Sequence, residues 1–212
     1  LDTGINTIVF DLGGVLIDWQ PSYVYLKEFR GNQKLMDHFL NHICSWEWNL
    51  NQDAGHPLAL ATQERIALFP QHKELIEMYY GRWEEMLGFA HLDTLALLTY
   101  FKTQTDFRLL ALTNWSHETF PIAQEKFPWL SWFEGILVSG AEGIRKPDPK
   151  IYELLTERYT LDPSKCVFID DNQANVTAAN QLGFQGIHFK DAVALHAQLE
   201  ALGVHVEKEF TP

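Results

Sequence analysis

The chain has 212 residues, 46% of them hydrophobic, which is enough for one sizeable α/β core plus a small accessory domain and excludes disorder. Its 16 Lys and Arg against 28 Asp and Glu leave a formal charge of −12, so a nucleic-acid backbone or an anionic membrane surface would be repelled. A protein this acidic that handles an anionic substrate must supply positive charge locally, from a metal ion or a few placed lysines.

The first apolar, β-branched run, Ile5 to Phe10, predicts a buried strand. From Asp18 to Phe89 helical patterning dominates, around Tyr23 to Phe29, Lys34 to Cys44, Leu58 to Leu68 and His72 to Met86, with no clear strand. This interval, 18–89, reads as a helical domain inserted into a core made of 1–17 and 90–212, with Trp46, Trp48 and Trp83 expected chiefly as packing residues. Further strands are predicted at Arg108 to Thr113, Gly135 to Ser139, Cys166 to Ile169 and Gly186 to Phe189, with helices at His117 to Phe127, Pro149 to Tyr159 and Gln173 to Leu182. Asp148-Pro149 supplies an N-cap followed by proline at the first helical position, and Gly183 sits where a C-terminal left-handed residue belongs. The alternation predicts an α/β fold, a doubly wound parallel sheet of five strands.

Cys44 and Cys166 lack C-x-x-C spacing, which argues against a zinc site or a disulfide scaffold. The chain opens at Leu1 with neither a basic region nor an apolar stretch of signal-peptide type, and no apolar run reaches the ~18 residues of a membrane span, so a cytoplasmic protein is expected.

In an open parallel sheet ligands bind beyond the carboxyl ends of the strands. The first strand ends in Phe10-Asp11-Leu12-Gly13-Gly14, the second in Leu112-Thr113-Asn114 and the fourth in Ile169-Asp170-Asp171-Asn172, while Lys146 follows the third. Three carboxylates in one cleft repel each other unless a cation sits among them, and oxygen ligands without a His or Cys cluster favour Mg²⁺. A carboxylate at a strand end can attack phosphorus when donors and cations hold the transferred group, a task suited to Thr113, Asn114 and Lys146. Gly13 and Gly14 let backbone N–H groups approach a phosphate.

These four separated motifs, Val9 to Leu16, Leu112 to Asn114, Lys146 to Pro149 and Val167 to Asn172, resemble in order those of the haloacid dehalogenase superfamily over nearly the whole chain. The resemblance implies a Rossmann-like core with a mobile helical cap at 18–89, and a magnesium-dependent phosphate monoester hydrolase working through an aspartyl-phosphate on a small phosphorylated metabolite. It implies Asp11 as nucleophile, Thr113 and Asn114 as phosphoryl-binding residues and Lys146 as the balancing cation. Asp11, the Gly13 carbonyl, Asp171 directly and Asp170 largely through water would ligate the metal. The chain departs from the pattern at Gly13, where phosphatases of the family carry a second Asp as general acid. Losing such an acid typically costs roughly 10² to 10⁴-fold. Gly here is similar to a branch resembling sugar-1-phosphate phosphatases, so a sugar phosphate or another stabilised leaving group is the expected substrate.

Bland readings stand beside these. Asp11 alone would be a helix cap or solvated turn, Asp148 a rigid start to a helix, and Asp18 a hydrogen-bonding anchor rather than a substitute acid. Trp46 to Asn49 with Asp53 and Gly55 reads as a loop between helices that either touches substrate or packs. The histidines, His38, His42, His56 and His117 included, form no metal-binding spacing. The rivals are a 2-haloacid dehalogenase, disfavoured by the Asp170-Asp171 pair and by Gly13; a phospho-accepting receiver, disfavoured by the acidic pair following strand four; and a phosphate-binding protein without turnover. Either a monomer or a homodimer fits.

Overall fold

The computed structural model describes residues 4–207. A five-stranded parallel sheet has the order β5-β4-β1-β6-β7, built from β1 (Thr7–Phe10), β4 (Arg108–Thr113), β5 (Gly135–Val138), β6 (Cys166–Asp170) and β7 (Gln185–His188). β1 lies at the centre, with Phe10 level with Ala111 on one side and Ile169 on the other. The two neighbouring strands therefore end beside it, and the residues that follow all three share one edge.

Period-two alternation sorts the sheet's side chains into two packed faces. Val9, Leu110, Leu112, Leu137 and Phe168 meet Ile151, Tyr152 and Leu155 of α10 (Pro149–Tyr159) and Ala178 and Ala179 of α11 (Gln173–Gln181). On the opposite face Ile8, Phe10, Leu109, Ala111, Val167 and Ile169 share a cluster with Leu97, Leu98 and Phe101 of α7 (Leu92–Gln104) and Leu195 and Leu199 of α12 (Ala192–Ala201). With both faces covered, the strands carry the near-continuous apolar runs that made them legible. Two shorter helices, α8 (Phe120–Lys126) and α9 (Ser139–Glu142), follow β4 and β5.

Between β1 and α7 run α1 (Ser22–Glu28), α2 (Gln33–His42), α3 (Trp46–Asp53), α4 (Leu58–Leu68), α5 (Lys73–Gly81) and α6 (Trp83–Met86). Their interior is aromatic: Tyr25, Phe39, Trp48, Tyr79 and Trp83 are all buried. Three features differ from the expectation. Trp46 to Asp53 is a helix, not a loop, started by Ser45, whose Oγ accepts from the Trp48 N–H at 3.3 Å; its Asn and Asp content depresses helix propensity, and tertiary packing overrides that. The segment also has strands at its two ends, β2 (Ile17–Trp19) and β3 (Leu87–Ala90), paired antiparallel with Ile17 opposite Ala90 and Trp19 opposite Leu87. Each is too short, and too far from its partner in sequence, to leave a hairpin signal. α7 and α12 went unpredicted because their apolar residues surround each helix and blur the period.

Candidate active site

Asp11 follows β1 and is held by its own turn: its N–H donates to the Ile169 carbonyl at 2.8 Å, and its Oδ1 accepts from the Leu12 N–H at 2.7 Å. Gly14 adopts a positive φ of 75°, and a Cβ there would collide with the Asp171 carboxylate. Glycine at 14 is thus required twice, for backbone conformation and for room beside Asp171.

Lys146 reaches the centre of this edge. Its ammonium lies 3.0 Å from Asp11 Oδ2 and 2.7 Å from Asp170 Oδ2, and donates to the Leu112 carbonyl at 2.7 Å. The side chain has no solvent exposure. Burial pulls its pKa down, but the charges of Asp11 and Asp170 more than reverse this and leave it above the ordinary lysine value. Asn114 holds the lysine's backbone: its Nδ2 donates to the Lys146 carbonyl at 3.0 Å and its Oδ1 accepts from the Lys146 N–H at 2.8 Å. The amide expected to bind a phosphoryl group thus also positions the cation, through one Nδ2 hydrogen and Oδ1.

Asp170 is fully buried. Besides Lys146 it accepts from the Asn172 N–H at 2.8 Å and from Asn175 Nδ2 at 3.0 and 3.1 Å. Asn175, on the first turns of α11, was not singled out in the sequence, because a lone Asn inside a helical pattern carries no signal of its own. Asp171 is exposed and lies against Gly14. One ligand oxygen from each of Asp11, Asp170 and Asp171 falls within 4.8 Å of the others, which is the spacing of a shared cation. Desolvation holds the Asp11 carboxyl well above the usual carboxylate range, against the pull of Lys146, and Asp171 is raised by burial and by Asp170. Three carboxylates against one ammonium leave an excess negative charge, so the donor set fits a hard divalent ion such as Mg²⁺.

Thr113 ends β4 at the same edge, 1% exposed, and its Oγ1 has no hydrogen-bond partner among the described residues. An orphaned buried hydroxyl is costly and marks a place where an acceptor is missing. Gly13 lines the cavity with open space where a side chain would project. Asp18 sits apart: it accepts from the Tyr23 hydroxyl, and its residue does not line the cavity.

The cavity itself encloses about 760 Å³ and runs from Asp11, Gly13, Lys146 and Asp171 to a wall made by the helical segment. That segment docks on the core at several points. The Ser139 hydroxyl donates to the Asp53 carbonyl, and Glu118 Oε1 accepts from the Leu58 N–H at 2.8 Å at the start of α4. The Asp53 carboxyl, 4% exposed, accepts from Asn49 Nδ2 at 3.1 Å. Burial pushes it up to about 7, opposed by Arg145 and by a backbone N–H of Ser116.

The family of haloacid dehalogenase-like hydrolases matches residues 5–183, which include every strand-end residue described above. The chain belongs to this family. It is an enzyme, a hydrolase, and its parallel sheet flanked by helices is the family's fold. It is 27% identical over 205 residues to the sesquiterpene phosphatase astK of Aspergillus oryzae, covering 94% of this chain and 97% of that one. It is 31% identical over 119 residues to flavin mononucleotide hydrolase 1 of Arabidopsis thaliana, a match covering 56% of this chain and 48% of that protein, so it spans about half the length of that relative. Among solved structures, a haloacid-dehalogenase-family enzyme of Bacteroides thetaiotaomicron in its magnesium complex superposes with a TM-score of 0.68 at 23% identity, covering 88% of this chain and 94% of that one. No helix among the described residues is long and apolar enough to cross a membrane.

Proposed function

We propose that this hydrolase cleaves a phosphate monoester of a small metabolite, with Asp11 taking the phosphoryl group as an aspartyl-phosphate and Mg²⁺ held by Asp11, Asp170, Asp171 and the Gly13 carbonyl. The observation that carries the reading is the buried Lys146 bridging Asp11 and Asp170 at 3.0 and 2.7 Å, beside a Thr113 hydroxyl that lacks an acceptor. Asp11 attacks phosphorus through a carboxylate oxygen as the P–O bond to the alcohol breaks, and the departing oxygen takes a proton from water. A phosphoryl group drawn onto it gives Thr113 its missing acceptor, while Lys146 offsets the charge gathered on nucleophile and phosphate. Asn114 keeps that lysine in register. Bound magnesium would supply charge neutralisation among the carboxylates and the phosphoryl oxygens. Water then attacks the phosphorus of phospho-Asp11, restoring the carboxylate and releasing inorganic phosphate. Relatives named as a flavin mononucleotide hydrolase and a sesquiterpene phosphatase support phosphate-ester chemistry.

The helical segment, 18–89, acts as the cap that closes this site, a role supported by its wall over the cavity and its docking through Asp53 and Leu58. The charge of −12 argues for a small-molecule partner over nucleic acid, and a reducing, cytoplasm-like compartment suits the two buried free cysteines. The paired Asp170 and Asp171 and the absence of a side chain at Gly13 argue against a 2-haloacid dehalogenase.

The test is phosphate release from p-nitrophenyl phosphate with magnesium or with EDTA, by wild type and Asp11→Asn. Turnover that needs both the metal and the carboxylate is expected. A magnesium-saturated wild type that releases nothing would replace this reading with the phosphate-binding one.

A further inference from the structure

Resting on the phosphatase reading, we infer that the substrate is the phosphate ester of a bulky, uncharged, apolar alcohol, seated against an aromatic wall formed by Trp19, Trp46 and Trp83. The phosphoryl group is pinned at the Asp11 end, so the alcohol must extend along the cavity toward the helical segment. There Trp19 lies with its ring centroid 5.0 Å from Trp83 and 6.0 Å from Trp46, which makes three indoles one continuous surface, flanked by Leu40 and Leu50. The Nε1 atoms of Trp19 and Trp83 are buried and have no acceptor among the described residues. Trp46 is 53% exposed, while Trp83 is buried and Trp19 half-buried. A large indole left half in water beside a cavity gains from a ligand that covers it.

The sparse positive charge on the lining favours an uncharged alcohol. Arg145 and Lys146 supply the only cationic side chains on the cavity lining among the described residues. Lys146 is committed to Asp11 and Asp170, so a carboxylate or second phosphate on the leaving alcohol would have Arg145 alone to meet it, a guanidinium that also donates to the Lys146 carbonyl at 3.1 Å. A sugar needs directional partners for its hydroxyls. Asn49, three residues from Trp46, already donates to Asp53 and accepts from the Tyr80 hydroxyl at 3.0 Å, which leaves the exposed Gln20 as the amide beside Trp19. A polyol stacked on the indoles would regain only part of the hydrogen bonding it gives up to water. This favours an apolar body over the phosphosugar that the Gly13 motif suggested.

1-Naphthyl phosphate and phenyl phosphate share a phenolic leaving oxygen, so the ratio of their kcat/KM values reads the wall and not the chemistry. For the magnesium-loaded wild type the ratio should be about tenfold or more in favour of naphthyl, with glucose 1-phosphate poorer than either. Trp46→Ala, at an exposed position that folding tolerates, should bring the ratio near unity, and Trp46→Phe should restore it. A wild-type ratio near one, a ratio insensitive to Trp46→Ala, or a preference for glucose 1-phosphate overturns the inference. If neither aryl ester turns over, hydrolysis itself is wrong, and calorimetry with magnesium decides the wall separately. Tighter binding of naphthyl than phenyl phosphate then upholds the apolar subsite, and equal binding removes it.

Discussion

The strand ends and the helical segment face the same cavity, yet they are built on opposite principles. At the sheet edge, polar groups converge: Asp11, Asp170 and Lys146 are buried, mutually ion-paired, and each is fixed by a backbone or amide partner within its own turn or the next strand. In the helical segment, aromatic side chains from β2, α3 and α6 make a wall beside which Asn49 is already hydrogen-bonded to Asp53 and Tyr80. The comparison teaches where selectivity and chemistry should separate. Changes at the edge should alter turnover of every ester alike, and changes in the wall should sort esters by their alcohol.

The largest effect is expected at Lys146. Lys146→Met should lower kcat for all esters by about 10³-fold or more. It should also destabilise the fold by about 3 kcal/mol at neutral pH, since Asp11 and Asp170 would stay buried without their ammonium; steady-state kinetics and urea unfolding check the two parts. Gly13→Asp should act in the opposite direction. Nothing occupies the space where its side chain would project, so the variant should fold normally and raise kcat for alkyl phosphates by roughly 10²-fold, with little gain for p-nitrophenyl phosphate, whose leaving group needs no proton. An equal gain on both would show that the introduced carboxyl does not act as an acid.

Thr113→Val should cost about 10²-fold in kcat and yet leave thermal stability unchanged or higher, because the hydroxyl it removes has no partner to lose. A loss of stability would mean that the hydroxyl serves the resting fold. Asp53→Asn tests the other region. The folded state holds this carboxyl up at about 7, from an ordinary 3.8, so wild-type stability is undiminished below about pH 4, declines as pH rises through that window and carries its full cost above about pH 7. The variant, which cannot ionise, should lack the decline and be more stable at pH 8, by on the order of 4 kcal/mol at most. Urea titrations across pH would show it. kcat for phenyl phosphate should move only severalfold, and a collapse of turnover would break the division between edge and wall.

The sheet edge was legible in the sequence for a local reason. A strand buried on both faces is a short apolar run, and the residue that ends it is a neighbour in sequence as well as in space, so Asp11, Thr113 and Asp170 could be placed together by counting strands. Even there the chain left Asn114's task open: its amide holds the Lys146 backbone, a contact between two loops that neither motif announces. Asn175 was hidden for the same reason. In the helical segment, sequence alone determined that helices are present and that tryptophans are concentrated there. It did not reveal β2 and β3, whose pairing joins the two ends of the segment, or the helix at Trp46 to Asp53. Only the tertiary structure brought Trp19 to within 5.0 Å of Trp83 and turned three scattered indoles into one surface. Hydrogen bonds and periodicity act over a few residues and so leave a local trace. Packing acts on whatever the fold makes adjacent, and long-range adjacency leaves none.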